Sequence, residues 1–280
     1  MQDLSNDVVV HIKKNGTEYL QFRRLLEYPE LVHCYTLKAN GFDIAGNDTY
    51  KEKRDILYSN FEKLAKALNI DKDTIIRPYQ THTNIVESIK EVWYDNHERK
   101  ISIFPKELTN VDGLITNQKD ITFSLSFADC TPIYLYDPVK KVIGNIHSGW
   151  KGTLTRIGKN AVEKMIEEYN CNTKDIICCI GPCIKKCHFE VSKDVADLFK
   201  EEFCEMEDIN EIITCINDLE QKYVIDTTRI NQNMLREAGL LKENIIDSGI
   251  CTVCNSKYMH SYRAYKEKAG RNTAILGLRK

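Results

Sequence analysis

The chain has 280 residues, 42% of them apolar and 29% charged, values that suit a soluble protein with a substantial buried core. A formal charge of −2, with no block of about five or six consecutive Lys and Arg, argues against a protein built to hold nucleic-acid backbone. A mean hydropathy of −0.41 and the lack of any apolar run of about 18 residues exclude a membrane-spanning helix.

The opening Met1-Gln2-Asp3-Leu4-Ser5 has neither the basic start nor the apolar stretch of a secretory leader, so a cytoplasmic location is expected. Val8, Val10 and Ile12 then alternate with His11 and Lys13, and Asn15-Gly16 supplies a type I′ turn, so a hairpin runs into residues 19–22. Asp48 or Thr49 caps a helix on which Leu57, Phe61, Leu64 and Leu68 recur at three- and four-residue steps. Residues 77–86 read as extended, because Pro78 disfavours a helix through the residue before it. Ile121, Phe123, Leu125 and Phe127 alternate with Thr122, Ser124 and Ser126, the pattern of a half-buried strand. After the interruption at Ala128-Asp129-Cys130-Thr131-Pro132, strands over 133–136 and 142–147 flank a type I turn over 137–140. Ser148-Gly149-Trp150-Lys151-Gly152 leads into a helix with Leu154, Ile157, Ala161, Met165 and Tyr169 on one face, and residues 176–180 form a buried strand. Ser192 caps a helix through Val195, Leu198 and Phe199, Asp226 caps another that stops at Gly239, and residues 273–278 are a last strand. Neither a repeat nor a Pro/Gly/Ser linker divides the chain. Strands and helices mix without strict alternation, which predicts α+β or irregular α/β architecture: mixed sheets, a central hairpin, helices packed outside, one domain over 1–280.

Eleven cysteines, an odd number, are more than a chain with a large core needs for staples, so thiols in a reducing compartment are expected. Each by itself is a small buried hydrophobe, and chemistry has to single one out. Local geometry singles out Cys130. A turn over 137–140 sets it opposite His147, with Cβ atoms roughly 5 Å apart. Such a pair is either a nucleophile with its base or two ligands of an ion such as Zn²⁺, against the plain alternative of a core thiol and a backbone-bonded imidazole. His82 is the third candidate ligand, and three protein ligands leave a fourth position for water or substrate. Gln80, two residues earlier on the extended segment, shares the face of His82. Asp129 is the candidate acid or base, although a regular strand would aim it away from Cys130, so a bend is required there. Arg263 and Arg271, flanking a hairpin loop over 266–270, and Lys151 after the Gly149-Trp150 turn are candidates for holding phosphate or a polar substrate, each with solvated surface charge as the plainer alternative. A rival cluster, Cys178, Cys179, Cys183, Cys187 and His188 with the Cys251-Thr-Val-Cys254 pair, suggests a structural zinc or iron–sulfur site. Against it, Cys178 and Cys179 are neighbours on a strand and point to opposite faces, so they do not share one ion.

Eight motifs stand in one order along the chain: Gln80-Thr-His82, Val111-Asp-Gly-Leu-Ile-Thr116, Ala128-Asp-Cys130-Thr-Pro, His147-Ser-Gly-Trp-Lys-Gly152, Ile180-Gly-Pro-Cys-Ile184, Cys251-Thr-Val-Cys254, His260-Ser-Tyr-Arg263 and Gly270-Arg271. From about Val32 onward the chain resembles the YfiH-type proteins, first labelled laccase-like polyphenol oxidoreductases and later assigned purine nucleoside phosphorylase activity. The resemblance implies a single-domain α/β protein with a zinc site at His82, Cys130 and His147. It also implies phosphorolysis of adenosine, inosine, guanosine and methylthioadenosine, together with deamination of adenosine. Two positions depart from the family pattern: Trp150-Lys151-Gly152 stands where Trp-Arg-Gly is usual, and Asn40-Gly41 where Gly-Gly is usual.

For deamination, a zinc that acidifies a water would supply the nucleophile for C6 of adenine, with Asp129 moving protons. For phosphorolysis, Arg263, Arg271 or Lys151 would hold the phosphate that attacks the ribose C1′. Tyr79, Phe127 and Trp150 are near enough in sequence to offer the purine a planar slot, with core packing as their competing role. The expected partners are purine nucleosides and inorganic phosphate, with no nucleic acid or membrane, and the expected state is a monomer or small homo-oligomer. Two other activities compete: a copper-carrying polyphenol oxidoreductase on the same ligands, and an amidase that edits cell-wall precursors through the Cys130–His147 pair.

Overall fold

Asn15 (φ 50°) and Gly16 (φ 75°) both take the left-handed conformation that a type I′ turn requires. They join β1 (Val9–Lys14) to β2 (Thr17–Phe22), with Lys14 opposite Thr17. The computed structural model describes residues 3–45, 51–90, 94–95, 98–99 and 108–279. The chain continues through α1 (Arg23–Leu26), β3 (Leu31–Thr36), α2 (Lys51–Leu68), β4 (Ile75–Ile76), β5 (Val86–Ser88), β6 (Tyr94–Asp95), β7 (Glu98–Arg99), β8 (Gly113–Thr116) and β9 (Thr122–Phe127). The central hairpin is β10 (Thr131–Asp137) and β11 (Val142–Ser148), followed by α3 (Trp150–Leu154), α4 (Ile157–Tyr169) and β12 (Ile177–Ile180). Next come β13 (Glu190–Ser192), α5 (Lys193–Glu202), α6 (Ile209–Ile212), β14 (Ile213–Asn217), β15 (Lys222–Ile225) and α7 (Thr227–Glu237). The last elements are β16 (Ile245–Asp247), α8 (Tyr262–Tyr265) and β17 (Asn272–Leu278).

Two six-stranded mixed sheets carry the fold, ordered β1-β2-β3-β17-β9-β4 and β16-β12-β10-β11-β8-β5. Alternation along each strand sorts the side chains into layers. Phe123, Leu125, Ala274 and Leu276 of the first sheet meet Tyr134, Tyr136, Ile143 and Cys179 of the second in one shared core. The opposite faces are covered by helices: Leu57, Phe61 and Leu64 of α2 pack on Ile275, and Ile157, Ala161 and Met165 of α4 pack on Ile133, Leu135 and Ile146. Helices outside a pair of mixed sheets is the architecture predicted. A smaller sheet, β13-β15-β14, packs against α5 and α7. Among the described residues no helix is long and apolar enough to cross a membrane.

Several local expectations are corrected. β9 is buried on both faces, because α2 lies over the polar one, where the Ser124 and Thr273 hydroxyls bond each other at 2.7 Å. The helix expected from Leu154 is divided into α3 and α4 by Arg156 in the left-handed region (φ 60°). Asp226 caps α7 by accepting the Arg229 N–H at 3.0 Å, and Gly239 (φ 98°) turns the chain away just past its C-cap Ala238, whereas the Ser192 side chain makes no capping bond. Residues 266–270 are not a hairpin loop. Ser261 caps α8 through the Ala264 N–H, and a 3₁₀ turn over Lys266–Lys268 follows. The expected caps Asp48 and Thr49 lie outside the described residues.

The turn of the central hairpin is also longer than predicted. Asp137 pairs with Val142, its carboxylate accepts the Val139 and Lys140 N–H groups, and Lys141 takes φ 55°. His147 therefore faces Pro132 and not Cys130. Because the register moves by an even step, Cys130, two residues from Pro132, keeps the face of His147.

Candidate active site

β11 presents His147 on the face between the two sheets, its ring centroid 5.2 Å from that of Phe127. β8 pairs with β11 so that Gly113 faces Ile146, which sets Asp112 across from His147. The His147 N–H donates to the Asp112 carbonyl at 2.7 Å, and His147 Nδ1–H donates to the Asp112 carboxylate, also at 2.7 Å. That carboxylate is fully buried and further accepts the backbone N–H groups of Thr81 (3.2 Å), His82 (3.1 Å) and Thr83 (2.8 Å). One acid thus orients both imidazoles: it engages His147 through Nδ1 and leaves Nε2 on the side of Cys130, and it turns the chain at His82, whose φ is 65°.

Cys130 follows a bend. Asp129 takes φ 85°, its carbonyl accepts the Ile184 N–H at 2.8 Å, and its carboxylate accepts the Thr252 hydroxyl and the Arg263 N–H at 2.6 Å each. The bend on which a role for Asp129 beside Cys130 depends is therefore present. The Cys130 Sγ comes 3.8 Å from His82 Nε2, the two imidazole centroids are 5.0 Å apart, and the donor atoms of His82, Cys130 and His147 all lie within 4.8 Å of one another. Gly149 makes room for this convergence, since a Cβ there would stand 2.7 Å from His82 Cδ2.

Charge follows geometry. Burial pushes the Cys130 thiol up, but the adjacent imidazoles, His147 above all, outweigh it and bring the thiol down to about 6. Burial pushes His147 down, and the Cys130 sulfur with the Asp112 carboxylate lifts it to about 9. Burial works against ionised Asp112 as well, yet its bonds to His147 and Thr83 hold it below the ordinary carboxylate value.

A cavity of about 540 Å³ opens over these donors, lined also by Gln80, Asp129, Arg263 and Arg271. The predicted site residues are brought together except for Lys151, which is exposed on α3 with Nζ 5.6 Å from the Trp150 ring centroid. Gln80 is tied down: its amide donates to the Ser126 carbonyl at 3.1 Å and accepts the Ser126 N–H at 2.8 Å. The Arg263 guanidinium donates to the carbonyls of His188 (2.7 Å) and Glu190 (2.9 Å), and that of Arg271 to Ala269 and Gly270 at 3.0 Å each. Of the aromatic candidates, Tyr79 and Trp150 line the cavity, while Phe127 is buried in the core. Sequence reasoning missed Asp112 and the buried, cavity-lining Arg77. The Val111-Asp-Gly motif marks Asp112, but its role depends on the pairing of β8 with β11, which no local pattern announces.

The rival cysteine cluster separates. Cys178 and Cys179 face different cores from opposite sides of β12, as their adjacency predicts, and Cys183 is buried. Cys187, His188, Cys251 and Cys254 come together, with donor atoms within 4.8 Å of one another.

Two facing sheets between helices, with a His–Cys–His donor set under a cavity, define a mixed α/β protein with a candidate metal centre. The chain belongs to the multi-copper polyphenol oxidoreductase laccase family, whose model matches residues 42–279. It is 28% identical over 256 residues to the purine nucleoside phosphorylase YlmD of Bacillus subtilis (strain 168), covering 89% of each chain. It is 32% identical over 210 residues to the adenosine deaminase RL5 of an unknown prokaryotic organism, covering 74% of this chain and 76% of that one. The crystal structure of the Bacillus licheniformis hypothetical protein YfiH superposes with a TM-score of 0.82 at 25% identity, over 96% of this chain and 99% of that one.

Proposed function

We propose that the chain, as one domain over 1–280, is a zinc-dependent purine nucleoside phosphorylase that also deaminates adenosine. The observation that carries this reading is the convergence of His82, Cys130 and His147 under a cavity of about 540 Å³, a size that suits a nucleoside. The names of the similar proteins support the substrate class.

Two imidazoles and a thiolate fit zinc, and they fit copper too; three protein donors facing a cavity suit a centre that leaves one position for substrate. When bound, the ion supplies Lewis acidity toward a substrate oxygen or a water. Asp112 keeps His147 Nε2 free to bind it, and the lowered Cys130 thiol is available as thiolate near neutral pH. In phosphorolysis a phosphate oxygen attacks C1′ as the C1′–N9 bond breaks, and the leaving purine takes a proton. Arg263 and Arg271 are assigned the phosphate: a guanidinium has five N–H donors, so their carbonyl bonds fix its plane and leave others over. Lys151, outside the cavity, is not assigned this part. Tyr79 and Trp150 are assigned the purine face. Asp129 is the only carboxylate lining the cavity among the described residues, and proton exchange through it requires release of Thr252 or of the Arg263 N–H.

Zinc-loaded protein given adenosine and phosphate should release adenine and ribose-1-phosphate, and without phosphate it should release inosine and ammonia. His82→Ala should abolish both. Absence of both products from zinc-loaded protein refutes the reading, and oxygen uptake on a phenol by copper-loaded protein establishes the oxidoreductase instead. The lowered thiol of Cys130 beside the raised imidazole of His147 favours one further reading, a Cys–His amidase. It predicts amide cleavage by chelator-treated protein, without phosphate.

A further inference from the structure

Two loops far apart in sequence meet behind one wall of the cavity, to which the first contributes Ile184 and Phe189. One joins β12 to β13 and carries Cys187 and His188; the other joins β16 to α8 and carries Cys251 and Cys254. Backbone bonds hold the loops in register: the Cys183 N–H donates to the Ile250 carbonyl at 3.3 Å, and the Thr252 N–H donates to the Cys183 carbonyl at 3.0 Å. The second loop then folds on itself through turns, the Asn255 N–H donating to the Cys251 carbonyl at 3.1 Å.

The donor atoms are spaced as one ion demands. With Zn–S of about 2.3 Å and Zn–N of about 2.0–2.1 Å, tetrahedral angles set two sulfurs about 3.8 Å apart and a sulfur and nitrogen about 3.5 Å apart. Here Cys187 Sγ and Cys254 Sγ are 3.9 Å apart, and His188 Nδ1 lies 3.1, 3.7 and 3.6 Å from the sulfurs of Cys187, Cys251 and Cys254. Such a space fits a single cation and is too tight for an iron–sulfur cluster, whose thiolates attach to different irons. Apolar burial does not account for the convergence, because Cys187 and Cys254 are exposed.

We propose that Cys187, His188, Cys251 and Cys254 form a second metal site, a closed Cys₃His zinc clamp that ties the β12–β13 loop to the β16–α8 loop. Four protein ligands leave no position for substrate, so the clamp is structural. Its place gives it an effect on the cavity. The Arg263 guanidinium rests on the carbonyls of His188 and Glu190, and Thr252, inside the Cys-x-x-Cys turn, donates to Asp129. The clamp therefore fixes one wall of the cavity without touching the donors beneath it, and its existence does not depend on the activity proposed above.

The 280-residue His82→Ala/Cys130→Ala variant, loaded with Zn²⁺ and dialysed under reducing conditions, isolates the clamp. It should keep one zinc per chain, with X-ray absorption showing three sulfurs and one nitrogen around the metal. Co²⁺ in its place should give thiolate-to-cobalt charge-transfer bands and tetrahedral d–d bands. Adding Cys254→Ser should remove the charge-transfer intensity of one thiolate and release the metal to a competing chelator. A folded double variant that binds neither ion overturns the proposal, and so does a Cys187–Cys254 disulfide found by mass spectrometry under those conditions. Should the variant with Cys254→Ser fail to fold, the cobalt spectrum of the double variant decides alone.

Discussion

Gly149→Ala tests the cavity centre with one methyl group. Gly149 has φ −70° and ψ 173° at the N-cap of α3, a conformation any residue adopts, so alanine meets no backbone strain. The obstacle is steric: the new Cβ would stand 2.7 Å from His82 Cδ2, 3.4 Å from Cys130 Sγ and 3.7 Å from His147 Cε1. Carbon atoms rest about 3.5–4.0 Å apart, so roughly 0.8 Å has to be found. β11 and the shared core hold His147, whereas His82 is exposed on a loop, so His82 moves. Metal–ligand distances tolerate only about 0.2 Å, and disturbing the shell that orients a ligand typically costs about 10–100-fold in affinity. Zinc affinity, read by competition with a chelating dye, should fall by that factor, about 1.4–2.7 kcal/mol. The metal-free protein should suffer far less: alanine is a poorer N-cap than glycine, a difference of roughly 0.5–1 kcal/mol, or about 1–4 °C in melting temperature. Zinc affinity within twofold of the parent would show that His82 is not a ligand. An equally large loss of stability in the metal-free protein would show that the methyl disturbs the fold and not the site.

Asp112→Asn should weaken zinc binding at least about 10-fold, because His147 loses its charged acceptor and an amide NH₂ meets the N–H groups of residues 81–83. Denaturant unfolding should show a loss of about 1–3 kcal/mol for the unsatisfied donors, and unchanged metal affinity would remove Asp112 from the site's support. Gly113→Ala brings a Cβ to 2.9 Å from both Ile146 Cδ1 and Val86 Cγ2, and overpacking of this kind costs roughly 1–3 kcal/mol in a melting experiment. His33 gives a pH signature. Burial holds it at about 4, below its ordinary value, while its Nε2 accepts the Phe22 N–H at 2.9 Å. A lowered folded value means that its contribution is complete above about pH 6.5 and is lost as pH falls toward 4, on the order of 2–3 kcal/mol between pH 7.5 and 4.5. Denaturant unfolding of the parent and of His33→Gln at both pH values should differ by that amount; parallel losses would contradict the assignment.

The elements legible in the sequence are those with local causes. Asn15-Gly16 makes the first hairpin because both residues tolerate positive φ, and the 57–61–64–68 spacing makes one face of α2 apolar, so each is set within a few residues. Elsewhere tertiary packing decides. Ser124 and Thr122 alternate as if they faced water, yet they lie under α2 and satisfy their hydroxyls there. Arg156 breaks an apolar helical pattern in the left-handed region, where its guanidinium reaches Glu202 at 2.6 Å and Glu237 at 3.0 Å. The Cys130–His147 approach was legible for a robust reason: strand faces repeat every two residues, so a turn misjudged by an even step leaves both residues on one face. Asp112 was not legible, because it acts across a strand pair formed by segments about thirty residues apart, 111–116 and 142–148.

Asp129 shows why the two donor clusters belong to one structural problem. A cysteine held at a bend before a strand needs that bend fixed, and a left-handed aspartate carries a conformational cost that surrounding bonds have to offset. Among the described residues, its fixing bonds come from the neighbourhood of the second cluster: Ile184 and Thr252 from the two clamped loops, and Arg263 from the helix that follows them. Thr252 follows Cys251 as Asp129 precedes Cys130, so a single buried hydroxyl–carboxylate bond of 2.6 Å separates the two thiols' chain segments. Coupling between the clusters then requires no moving part. Ordering the outer loops holds the bend, and the bend delivers the Cys130 sulfur to the imidazoles of His82 and His147.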